Sequence, residues 1–129
     1  MLAPLLIAGA IAAAPAAPAD GTYAGHTTEG HKIRVVVAHG EVSRTMVSIT
    51  HYVCDPHGIV GPVLVRVRPH AAITRRTVRF EAADAPLFLR MRATFGARRT
   101  LTGTVKAHGT IGTGDPCTSP SIRFSAKRR

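Results

Sequence analysis

Tryptophan, asparagine and glutamine are absent from this 129-residue chain, and its aromatic set is four Phe and two Tyr. Without Asn there is no N-glycosylation acceptor. With so few rings the core must be built from aliphatic side chains. Stacking platforms are equally scarce, so sequence-specific reading of nucleic acid is not expected. Cysteine occurs only twice, at Cys54 and Cys117, and seven acids face 17 Lys and Arg. Residues 1–19 carry no charge at all, and no Lys or Arg precedes Lys32.

The uncharged start, MLAPLLIAGAIAAAPAAPA, ends in Ala17-Pro18-Ala19 before Asp20. An apolar run closed by a small-x-small triplet reads as a secretory signal peptide over 1–19, although the usual basic n-region is missing. Leu2–Ala14 falls short of the ~20 residues needed to span a bilayer. No transmembrane segment is therefore expected after cleavage, and the protein is expected to be secreted or held at the cell envelope. The remainder is one domain by length, expected over residues 20–126, with a frayed basic tail at 127–129.

A net charge of +10, most of it from arginine, predicts attraction to polyanions such as acidic polysaccharide. The same charge also keeps a small exported protein soluble, and a GC-rich genome produces much arginine unaided. In an oxidising compartment Cys54 and Cys117, 63 positions apart, are expected to form a disulfide. The competing reading is a metal site, because His51, Asp55 and His57 crowd around Cys54. However, Cys54-x-x-His57 with one distant Cys matches no standard zinc spacing.

Period-2 alternation runs through almost the whole remainder, and no stretch carries a helical period. Strands are expected at Thr22–His26, Lys32–Ala38, Met46–Val53, Val63–Arg68, Thr77–Ala82, Leu87–Phe95, Thr100–Ala107 and Ser121–Ala126. In the third, Val47, Ile49 and Val53 should face inward and Tyr52 outward. Leu87–Phe95 and Thr100–Ala107 should pair so that Arg92 lies near Thr104 and Arg90 near Lys106. Seven or eight short strands with frequent Gly and Pro turns point to an all-β fold, an antiparallel β-sandwich or a small barrel, with one disulfide.

Gly21-Thr22-Tyr23-Ala24-Gly25, a hairpin ending near a Cys, Leu101-Thr102-Gly103-Thr104-Val105, and Cys117 followed by Ile122-Arg123-Phe124-Ser125-Ala126 appear in that order. This arrangement resembles a group of small secreted two-cysteine β-proteins common in actinobacteria. The resemblance implies fold and export; it implies no site residues.

No nucleophile elbow, paired-carboxylate frame or cofactor motif is present, so the chain reads as noncatalytic and without a cofactor. The candidate anion-binding residues are Arg66, Arg68, Arg90, Arg92 and Lys106, cations aligned on the wet faces of strands. The expected function is noncatalytic binding of an anionic polymer. The alternatives are a protein-interaction module, such as an extracellular protease inhibitor presenting the Gly109–Pro120 loop, and metal binding through His51, Asp55 and His57.

Overall fold

A computed structural model describes residues 17–129; the expected leader lies almost wholly outside the described residues. Among these the strands are β1 (Gly21–Thr27), β2 (Lys32–Ala38), β3 (Glu41–Ile49), β4 (Val53–Cys54), β5 (Gly58–Ile59) and β6 (Val63–Val67). The series continues with β7 (Ala71–Ala72), β8 (Thr77–Asp84), β9 (Leu87–Phe95), β10 (Thr100–Thr110), β11 (Pro116–Thr118) and β12 (Ile122–Arg128). All belong to one antiparallel sheet.

Eight of them run side by side as β8-β9-β10-β12-β1-β2-β3-β6, which is chain order around a ring once β12 has paired with β1. The edges β6 and β8 meet across a seam with no backbone ladder. There the Asp84 carboxylate accepts a 2.9 Å hydrogen bond from the Arg66 amide. Of the two expected architectures, this single curled sheet is the small barrel. Its interior is filled: Ile33, Val35, Val47, Val65, Leu89, Met91, Leu101 and Val105 are at most 1% exposed. Tyr23 and Phe95 meet edge to face inside it, 5.1 Å apart.

Alternation places these side chains. On β9 the residues from Leu89 to Phe95 switch strictly between buried and exposed. The β9–β10 hairpin has the expected register, Arg92 opposite Thr104 and Arg90 opposite Lys106. Gly103 belongs to this ladder for steric reasons: a Cβ there would lie 2.7 Å from both Ala93 Cα and Ala93 Cβ.

Three expectations are corrected. β3 starts at Glu41, because His39 and Gly40 form a two-residue turn with φ of 53° and 77°. Such a primed turn lets the strand resume at once. Second, alternation stops after Ile49. The Glu29 carboxylate, in the β1–β2 turn, accepts hydrogen bonds from the amides of Thr50 (2.9 Å) and His51 (3.1 Å). The chain leaves the ladder there, so Tyr52 becomes buried and Val53 is exposed. Third, Lys127 and Arg128 do not fray; they pair with Ala24 and Tyr23.

The short strands β11, β4 and β5 form a flap extending from the upper part of β10. The disulfide joins Cys54 to Cys117, which face each other across β4 and β11 with Cα atoms 4.0 Å apart. The bridge thus holds the flap together, rather than fastening the final strand.

Candidate anion-binding faces

The strand-face cations fall into two hollows. In the first, antiparallel register lines up Arg34 of β2, Met46 of β3 and Arg66 of β6 in one cross-strand row. Arg44 stands two residues back along β3, and Arg68 two residues on from Arg66. Together with Thr22, Val36, Thr45 and Val67 they line an open hollow that no acid enters. Among the described residues none of the guanidinium groups of Arg34, Arg44, Arg66 and Arg68 has a carboxylate partner. A neighbouring hollow shares Thr22, Arg34 and Met46 and adds Lys32, His26 and Arg129, which extends the basic surface over β1.

The second hollow lies on β8, β9 and β10. Arg79, Arg92 and Thr104 share a row there, and Arg79 stands directly opposite Arg92. Like charges directly opposite destabilise a ladder, so an anion placed between them relieves a built-in repulsion. The adjoining row, Glu81–Arg90–Lys106, is partly neutralised. Glu81 accepts from Arg90 Nη2 at 3.0 Å and lies 3.1 Å from His108 Nε2. The hydrogen bonds from His108 and Arg90 hold its carboxyl below the usual range.

The five candidates therefore fall in two hollows: Arg66 and Arg68 belong to the first, Arg90, Arg92 and Lys106 to the second. Arg34 and Arg44 are further members of the first hollow that alternation within single strands does not single out. Arg34 already showed on the outer face of Lys32–Ala38, but only the strand order brings it beside Arg66. Arg44 was hidden because β3 begins before Met46.

His51, Asp55 and His57 are not brought together. The His51 ring bonds the Glu29 carboxylate, and His57 Nε2 bonds Asp115 Oδ2 at 2.8 Å. Among the described residues no group of three or more His, Cys, Asp or Glu is placed to hold a metal ion. Burial pushes the Glu29 carboxyl up, yet the hydrogen bonds from the His51 ring and the Thr50 and His51 amides outweigh it and hold the group below the usual range. Asp115 is likewise lowered, by Thr113 and His57.

Tyr52, expected as an outward ring, is buried with its hydroxyl unpartnered among the described residues. Phe88 does face outward, stacked on His108 with ring centres 5.2 Å apart. The Gly109–Pro120 segment turns back tightly, Gly114 N donating to Ile111 O at 2.7 Å.

Comparison with known proteins finds no matching family model, no matching curated protein and no matching solved structure. No helix among the described residues is long and apolar enough to cross a membrane. The barrel wall has the opposite polarity from a membrane-spanning barrel, with apolar residues inside and arginine outside.

Proposed function

We propose that this chain is an exported, noncatalytic module that binds an anionic polymer through its strand-face arginines. The observation that carries the reading is the Arg34, Arg44, Arg66 and Arg68 cluster around Met46, with no acid in its lining and no carboxylate on any of the four among the described residues. Guanidinium groups on a rigid wall at strand spacing suit sulfate, phosphate or carboxylate groups repeated along a chain, because each fork donates two aligned hydrogen bonds. The second hollow supplies a further contact region. The disulfide supports export, since such bonds persist in oxidising compartments.

The test is heparin affinity chromatography of two charge-matched variants. Arg66→Glu with Arg68→Glu should elute at markedly lower salt than Arg98→Glu with Arg99→Glu, although both change net charge equally. Equal elution refutes a localised site and leaves only general basicity. The inhibitor reading is the weaker one, because Gly109–Pro120 folds back at Ile111–Asp115 instead of standing out as an extended strand.

A further inference from the structure

One cross-strand row on the outer face unites the exposed apolar side chains of the flap. Ladder partners run Ala83–Phe88–His108–Thr118–Val53–Ile59 across β8, β9, β10, β11, β4 and β5. Phe88 is 38% exposed, Val53 40% and Ile59 59%, and Val60 follows Ile59 at 37%. At the usual spacing between strands, Phe88 and Ile59 lie about 19 Å apart along the sheet.

The row sits at the rim of the barrel: β9 begins at Leu87 and β10 ends at Thr110. Further up the wall stand cations. Arg90 and Lys106 are two residues, about 7 Å, beyond Phe88 and His108, and Arg92 lies two residues further still. The nearest acids are engaged: Glu81 by Arg90 and His108, Asp115 by His57 and Thr113, and Asp84 by the Arg66 amide. Glu29, at the same end, is engaged by the Thr50 and His51 amides and the His51 ring, which leaves Asp55, in the β4–β5 turn.

We propose that this rim docks on an anionic lipid surface. Phe88, Val53 and Ile59 enter the boundary between headgroups and acyl chains, Arg90 and Lys106 meet the phosphates, and Arg92 stands above them as a more distant cation. An apolar edge enters about 5–10 Å below the headgroups, and the ~7 Å step to the cations matches that depth. Each Lys or Arg near such a surface adds attraction that salt screens, while the apolar contribution persists. A second copy of the chain is disfavoured as occupant, because docking would bring two molecules of +10 together. The inference uses a different row from the Arg34–Arg66 hollow, so it survives failure of polymer binding there.

The experiment is sedimentation with phosphatidylglycerol-containing vesicles and with phosphatidylcholine vesicles, using the intact protein. Binding to the anionic vesicles is expected, with little to the neutral ones. Phe88→Ser with Ile59→Ser should weaken it about a hundredfold, roughly tenfold per side chain, while heparin retention is unchanged. Because the chain has no Trp, Ile59→Trp provides a single tryptophan whose emission, excited apart from the two Tyr, should shift to the blue on anionic vesicles. Equal binding of the double-serine variant, or an unshifted Trp, overturns the proposal. So does a dimer in sedimentation equilibrium that the same double variant abolishes.

Discussion

Replacing both Cys54 and Cys117 with Ala removes the bridge without leaving a thiol. The two lie 63 positions apart, and the chain-entropy model assigns a loop of that length about 4 kcal/mol. That is a large part of the roughly 5–15 kcal/mol that holds a small domain folded, and corresponds to a fall in Tm of about 15–20 °C. The structure adds where the loss should show first. β4 pairs only with β11 and β5, over two residues each, so without the bridge β4 and β5 have little to hold them on β11, which keeps its own three-residue ladder to β10. Tyr52 precedes β4 and is buried near Gly109, and burial holds its hydroxyl above the ordinary tyrosine value. Tyr23, on β1 inside the barrel, is raised mainly by burial too, against lowering by Arg128. In the variant, ultraviolet titration should find Tyr52 ionising closer to its ordinary value while Tyr23 remains shifted. Thermal unfolding and tyrosine absorbance read both effects. A Tm unchanged within a few degrees, or Tyr23 and Tyr52 moving together, would refute a bridge that fastens β4 and β5 onto β11 beside an otherwise intact barrel.

Glu29→Gln tests the carboxylate that ends β3. A carboxyl lowered in the fold stabilises above its unfolded value of about 4.3 and loses that contribution as pH falls through the folded value. The gap in denaturant stability between wild type and variant should therefore be widest near neutrality and close on acidification below about pH 4; parallel curves would contradict this. Gly103→Ala should cost about 1–3 kcal/mol, because the added Cβ collides with Ala93 and the Arg92 carbonyl in the ladder. Gly112→Ala, where a Cβ meets nothing, should leave Tm nearly unchanged.

What was legible in the sequence was whatever repeats with a period of two. The β9–β10 register followed from keeping Leu89, Met91 and Ala93 on the same side as Leu101, Gly103 and Val105, since a slip of one residue would turn that face to water. The disulfide followed from two lone cysteines behind an expected export signal. The inversion at Tyr52 and Val53 was not legible, because its cause is Glu29, 21 positions from Thr50, and alternation says nothing about a cap supplied from so far away. The ends of β12 were missed for a related reason: basic residues at a terminus read as loose until β1 provides partners for Lys127 and Arg128. The arginine rows were visible strand by strand. Their division between two hollows depended on strand order, which the Thr22–His26 and Ser121–Ala126 segments do not reveal until they are seen paired.

The most direct test of the polymer-binding account is the salt dependence of heparin affinity, measured by titration at several ionic strengths. Four guanidinium contacts predict a slope of log K against log salt on the order of −3, at about 0.7 per charge neutralised on a single-stranded polyanion. Converting Arg34, Arg44, Arg66 and Arg68 together to Ala should flatten that slope to near the level of a nonspecific basic surface. A variant that keeps the wild-type slope and affinity would contradict the account.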